Sequence, residues 1–311
     1  MNRSFLRAQL RYMMQTFPTR KGLRRKAWIA VDACMLLAGY ARLRAAMARP
    51  APRRSRAEQR CVVVLLSHNR PQNMPIIVRC ALKNPWVSKL IVSNSNSKLR
   101  IAEWIDSRDE RLVLIDESRP TQPGHRFTLA AESGGEYCLS IDDDIFLAPR
   151  QWTALFENLL ADDSVPHGIT GNMFIPDSIS GNGSPFHHVS RVEQEVDVLI
   201  GAYAFARKHL DRMFALAGTL GIGRMSDLRN GEDVLLSFAG EGRPRIHALG
   251  PFLTCASESA PGVALWQSHD NFWDERDGLF QRARTARLAM DAPWNGPRVL
   301  KTIVTPGLSD D

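Results

Sequence analysis

The pattern of apolar and polar positions changes character at residue 61. Residues 61–67, CVVVLLS, form one apolar run, as expected of a strand buried on both faces of a parallel sheet. HNRPQNMPIIVRCALKN follows, a helix opened by Asn73 or a neighbour that buries Ile76, Ile77, Cys80 and Leu82. VSKLIVSNSNS predicts a second strand with a polar turn, AEWIDSRDE a short helix, and RLVLIDES a third strand. HRFTLAAESGG then predicts a helix and YCLSIDDD a fourth strand. Strands alternating with helices over about 80 residues predict an α/β fold with a mainly parallel sheet.

Further on, QWTALFENLLADD predicts a helix with Trp152, Leu155, Phe156 and Leu159 facing inward. GITGNMFIPDSISGNGSPFHHVS is rich in Gly and Ser and reads as a loop, a flap or a substrate-facing segment. VDVLIGAYAFARKHLDRMFALAG reads as a strand, a small-residue break at Gly201-Ala202, and a helix. In NGEDVLLSFAGEG, Glu232 and Asp233 open a helix, where carboxylates meet unpaired amides and the positive end of the dipole. Capping alone would explain that pair as well as chemistry would.

Upstream of residue 60 the pattern is different. Residues 1–48 interleave basic and apolar positions, and Trp28, Val31, Leu36, Leu37, Tyr40 and Leu43 recur at roughly helical spacing. The apolar run from Ala27 to Ala41 is shorter than the roughly 20 residues of a span, and it contains Asp32. It also lacks the order of a signal peptide. Two readings fit: a basic amphipathic helix on an anionic membrane surface, or a helical extension docked on its own domain. Residues 49–60 read as a linker, residues 61–290 as the domain, with halves 61–149 and 150–290, and residues 291–311 as a tail.

Charge follows the same boundary. Residues 1–57 carry 14 of the 40 Lys and Arg and a single acid, a net +13, while the remainder is net −6. The pI of about 9.4 therefore describes the arm, and a nucleic-acid partner inferred from it would be misplaced. Cys34, Cys61, Cys80, Cys138 and Cys255 include no CxxC pair, which argues for reduced thiols in a cytosolic protein rather than a disulfide frame or a zinc ribbon.

The chemistry concentrates in SIDDDIFLAP, residues 140–149. Asp142, Asp143 and Asp144 repel one another unless a cation or strong solvation compensates, so the triplet is either a solvated turn or a divalent-metal site. Ligands of parallel α/β sheets bind beyond the carboxyl ends of the strands. Ser67-His68-Asn69-Arg70, the Ser93–Ser97 turn and the triplet all fall there.

Taken together, CVVVLLSHNRP, LIVSNSNS, HRF, SIDDDIFLAP, LIGAYAF and NGEDVLLSF resemble, in order, segments of the GT-A glycosyltransferases, and among them the exostosin-like (family 64) transferases. The resemblance covers roughly residues 60 to 285. It implies a Rossmann-like mixed sheet flanked by helices, and a metal-dependent transfer of sugar from a nucleotide-diphosphate donor, a UDP-sugar, with retention. Such a donor leaves as a diphosphate, whose developing charge calls for a divalent ion such as Mn2+ or Mg2+ on oxygen ligands. By resemblance Asp144 and Asp142 hold the metal, with Asp142 also near the ribose or sugar and Asp143 toward the donor sugar. Ser67, Asn69, Arg70, Asn94, Arg126, Gly201, Ala202 and Arg276 complete the donor site. Asp233 corresponds to the carboxylate near the reacting sugar carbon, with Glu232 beside it. The family's C-terminal basic residue has no clean counterpart. WQSHDNFWDERDGLFQR instead offers His269 as a candidate metal ligand, with Arg276 beyond. A glycan or lipid-linked acceptor, a role in surface polysaccharide synthesis and a place at the inner face of the membrane follow as expectations. The rivals are a phosphohydrolase of the haloacid-dehalogenase type, using Asp142, Asp144, Lys208 and Glu232-Asp233, and a non-catalytic membrane adaptor.

Overall fold

The computed structural model describes residues 38–45, 60–68, 70–180, 183–255 and 271–289. Eleven strands are present among them: β1 (Cys61–Ser67), β2 (Val87–Asn94), β3 (Leu112–Asp116), β4 (Tyr137–Ile141), β5 (Ile145–Phe146), β6 (His167–Phe174), β7 (Phe186–Ser190), β8 (Gln194–Glu195), β9 (Val198–Ala206), β10 (Arg245–Ile246) and β11 (Leu253–Thr254). The helices are α1 (Met74–Leu82), α2 (His125–Glu132), α3 (Pro149–Ala161), α4 (Arg207–Thr219), α5 (Glu232–Ser237) and α6 (Phe272–Ala289).

Nine strands make one mixed sheet in the order β3-β2-β1-β4-β9-β6-β10-β8, with β7 added to β6. β1 to β4 are parallel, β9 runs antiparallel between β4 and β6, and β6 points the same way as β4. The expected α/β class with a flanked mixed sheet is thus observed.

Each face of the sheet carries its own core, because alternate strand residues point to opposite sides. Val63, Leu65, Leu90, Val92, Leu139 and Ile141 pack under α1 and α3 with Trp152, Leu155, Phe156 and Leu159, as the sequence pattern predicts. Val62, Val64, Ile91 and Cys138 face the other way, beneath α2, α4, α5 and α6. Cys61, Cys80, Cys138 and Cys255 are buried and form no disulfide among the described residues. Each large apolar side chain so buried contributes about 1.5–3 kcal/mol.

Two expectations need correction. The stretch beginning GITGNMF is not a loop: it forms β6 and, after an irregular connection, β7. Its glycines permit close strand packing rather than a turn, since a Cβ at Gly171 would lie 2.7 Å from Val198 O and from Val196 Cγ2. Gly201-Ala202 does not end its strand either. β9 continues to Ala206, and the two small residues form a bulge where the register against β6 shifts.

Residues 38–45 are helical and dock on the domain, with Tyr40 and Leu43 buried in the first core. The rest of the arm, nearly all of the linker and the tail lie outside the described residues. No helix among the described residues is long and apolar enough to cross a membrane.

Candidate active site

The acidic triplet sits on the turn that joins β4 to β5, at the carboxyl end of β4. Its backbone is held from three directions. Asp142 N–H donates to Gly201 O of the β9 bulge (2.8 Å), Asn73 Nδ2 donates to Asp143 O (2.6 Å), and Cys255 N–H donates to Asp144 O (2.9 Å). The turn is therefore built by long-range contacts and not only by the turn preference of Asp.

Two arginines compensate the charges. Arg70, just beyond β1, places Nη1 2.7 Å from Asp143 Oδ1 and 3.1 Å from Asp144 Oδ2. Burial opposes the Arg70 charge, but Asp143 and Asp144 outweigh it and hold the guanidinium above its ordinary range. From the first turn of α2, Arg126 Nη2 lies 2.6 Å from Asp142 Oδ1. This short, charge-assisted contact makes Arg126 the partner of Asp142 Oδ1. Protein crowded around the Asp142 carboxylate pushes its pKa up, against the pull of Arg126, while 34% of the side chain still meets solvent.

A second charged group packs behind the first. Gly231, at φ +87°, admits α6 so closely that a Cβ there would collide with Leu279 Cδ2. This brings Arg276 of α6 onto Asp233 in α5 as a bidentate pair, 2.8 Å to Oδ1 and 2.7 Å to Oδ2, with side chains only 4% and 8% exposed. Asp233 Oδ1 also accepts the Val234 N–H at 2.8 Å, so both oxygens of the carboxylate are engaged. Among the described residues no guanidinium pairs with Glu232 in this way. Burial and the neighbouring Asp233 push its pKa up to about 8, with Arg126 opposing, so it holds its proton at neutral pH.

The remaining predicted residues divide clearly. Ser67 ends β1 at 1% exposure, and its Oγ has no hydrogen-bond partner among the described residues. Asn94, level with Ser67 in the sheet, is committed to the turn after β2. Its amide donates to Asn96 O, Leu99 O and Asp116 Oδ1 and its oxygen accepts Asn96 N–H. Gly201 and Ala202 border Asp142 through the bulge. Asn69 and His269 lie outside the described residues.

Tyr203 escaped the sequence reading. It is 2% exposed, its hydroxyl accepts Gly201 N–H at 3.0 Å, and the Arg126 guanidinium lies 5.4 Å above its ring. The available signal was an aromatic flanked by small residues in GAYA.

Chemically, hard carboxylate oxygens at Asp142 and Asp144 fit a divalent cation such as Mn2+ or Mg2+. Gly201 supports that fit, because a Cβ there would sit 4.0 Å from Asp142 Oδ2 and crowd the carboxylate. Among the described residues no three His, Cys, Asp or Glu side chains form a ready cage, so water or a ligand would complete the coordination.

No family model matches this sequence, and no curated protein matches it either. Solved structures of similar layout do exist. A structure of GalNAc-T7 with UDP, GalNAc and Mn2+ is 10% identical with a TM-score of 0.47, covering 71% of this chain. The chain spans 50% of the length of that protein. The mannosyltransferase PcManGT from Pyrobaculum calidifontis, in complex with GDP-Man and Mn2+, is 16% identical at a TM-score of 0.46, over 86% of this chain and 76% of its own. CMP:2-keto-3-deoxy-manno-octonic acid synthetase complexed with CTP is 11% identical at 0.36, over 51% and 78%. None is similar enough to carry an argument about this chain, so the functional reading rests on its own residues.

Proposed function

We propose that this chain is a metal-dependent glycosyltransferase of the GT-A type, using a nucleotide-diphosphate sugar, a UDP-sugar, as donor. The observation that carries the reading is the convergence of Asp142–Asp144, Arg70, Arg126, Glu232, Asp233 and Arg276 into one charged crest at the carboxyl end of the sheet. Counted as ionised, four aspartates face three guanidiniums, and Glu232 is largely neutral at pH 7. The crest is thus net negative and would repel a diphosphate on its own. A divalent cation on Asp142 and Asp144 reverses the sign, and when bound it would neutralise the charge that develops on the leaving diphosphate.

The chain's own groups have definite tasks in this scheme. Arg70 and Arg126 orient the triplet from two sides, and both stand next to the space a diphosphate would fill. Arg276 holds Asp233 in place through two hydrogen bonds, which suits a carboxylate that stabilises positive charge at the sugar carbon or positions the acceptor. Glu232, kept protonated, offers a hydrogen-bond donor. Ser67 and Asn69 would line the nucleoside end, with Asn94 shaping the adjoining turn, and His269 is a candidate further metal ligand. Retention at the sugar carbon, a glycan or lipid-linked acceptor, surface polysaccharide synthesis and attachment to the inner face of a membrane belong to the same proposal.

Lys208 weakens the phosphohydrolase alternative. It lies at the start of α4, beyond the end of β9 opposite the triplet, and pairs with Asp163 at 2.9 Å. The test is calorimetric titration of UDP into the full chain, with and without Mn2+, for wild type and Asp144→Ala. Metal-dependent binding that the variant loses supports the reading. Absence of UDP binding under any metal refutes the UDP donor, and release of phosphate from a generic phosphomonoester would favour the alternative.

A further inference from the structure

The bulge in β9 leaves a backbone problem that one side chain solves. Where the register against β6 shifts, between Gly168 and Thr170, the N–H of buried Gly201 leaves the ladder. A buried N–H without an acceptor is costly, and such groups are nearly always paired. Here the acceptor is the hydroxyl of Tyr203, two residues along the same strand, at 3.0 Å. Gly201 is thereby fixed at φ +75°, and its carbonyl is turned to accept Asp142 N–H at 2.8 Å. The hydroxyl and the first residue of the triplet are linked through a single glycine.

The ring of the same tyrosine acts on Asp142 from the other side. The Arg126 guanidinium lies 5.4 Å over it, and Arg126 Nη2 reaches Asp142 Oδ1 at 2.6 Å. Arg126 is steadied further by Ser140 Oγ, 3.4 Å from Nη1, which itself donates to Val64 O at 2.7 Å. Ser140 is the residue directly opposite Tyr203 across the β4–β9 ladder. Burial, then Asp142 and Asp233, push the Tyr203 pKa well above its ordinary value, so the hydroxyl stays neutral.

We propose that Tyr203 is a positioning residue that sets the Asp142 carboxylate for its cation, through its hydroxyl on the Gly201 backbone and through its ring beneath Arg126. This inference rests on the metal-dependent reading of the site. It assigns no bond-making step to Tyr203, which touches neither donor nor metal in the scheme.

The test compares Mn2+-dependent UDP binding by calorimetry in wild type, Tyr203→Phe, Tyr203→Leu and Trp86→Phe, with amide exchange at Gly201 and Asp142. Trp86 Nε1 donates to Thr153 Oγ1 at 3.1 Å beneath the opposite face, so its replacement also removes a buried hydrogen bond, but away from the site. We expect Tyr203→Phe to unfold cooperatively, to exchange faster at Gly201 and Asp142, and to bind about tenfold more weakly. Tyr203→Leu, which also loses the ring, should bind more weakly still, and Trp86→Phe should bind as wild type does. Equal binding by wild type and Tyr203→Phe overturns the inference alone. Equal weakening by Tyr203→Phe and Trp86→Phe also overturns it, since the effect would then be general destabilisation. If wild type binds no UDP with Mn2+, the functional reading fails and the inference falls with it.

Discussion

Replacing Arg276 by Met tests the buried pair with Asp233 at a cost that can be worked out beforehand. Met fills most of the volume of the arginine stem, so the perturbation is mainly the loss of charge and of the two hydrogen bonds at 2.8 and 2.7 Å. Removing one partner from a buried ion pair typically costs about 3–5 kcal/mol, because the other charge is left desolvated and unpaired. Urea unfolding of Arg276→Met at pH 7 should therefore show a loss of about 3–5 kcal/mol. Asp233→Asn leaves a guanidinium that cannot shed its proton, and should be no milder. The double variant removes both charges and should lie within about 1 kcal/mol of wild type. A loss below about 1 kcal/mol at pH 7, or a double variant as unstable as the singles, would refute the reasoning.

Three further outcomes follow from groups described above or buried with them. His167 and His209 are 1% and 0% exposed and burial lowers each pKa to about 4, so in the window from about 6.5 down to about 4 only the unfolded chain takes up their protons. Stability should fall with acid there by about 1.4 kcal/mol per pH unit for each histidine, read from urea midpoints across pH, and a flat profile would contradict their burial as neutral rings. Glu232 has the opposite sign. Its folded pKa of about 8 means that the native state keeps a proton the unfolded chain releases above about 4.3, so stability declines as pH rises through that window. Together the three groups give a maximum near pH 6.5 in chelator-treated protein, and Glu232→Gln should flatten the decline above it. Gly201→Ala forces a side chain into φ +75° and puts a Cβ 2.6 Å from Ile145 Cδ1, so it should lower stability by about 1–3 kcal/mol and impair Mn2+-dependent UDP binding. Wild-type behaviour would mean that the bulge is unimportant.

Much of the fold was legible because β1 to β4 are apolar runs separated by polar turns, which leaves little choice of register or element. β6 was not, since Gly168, Gly171 and Asn172 resemble loop residues until β9 and Val196 are seen pressed against them. The triplet and the Glu232-Asp233 pair were visible as local clusters of charge. Their partners were visible only as arginines. That Arg70 would bond to a carboxylate 73 residues away, or that Arg276 would close on Asp233 across 43, depends on how helices dock and leaves no periodic trace. Tyr203 was hidden for a related reason: its task depends on a bulge, and the sequence presents only a glycine.

The docked segment at 38–45 changes what the N-terminal arm is. Tyr40 and Leu43 are sunk in the core, and Gly39 fits so closely over Leu253 that a Cβ there would lie 2.5 Å from Cδ1. Leu253 belongs to β11, the short strand paired with β5, and Cys255 just beyond it holds the Asp144 carbonyl. The helical segment 38–45 is therefore the back wall of the short ribbon that follows the triplet. A pull, a cleavage or a bulky fusion at those residues would reach the triplet through two strands of two residues each. Force applied to the chain ahead of residue 38 is, by this route, also force on the candidate site.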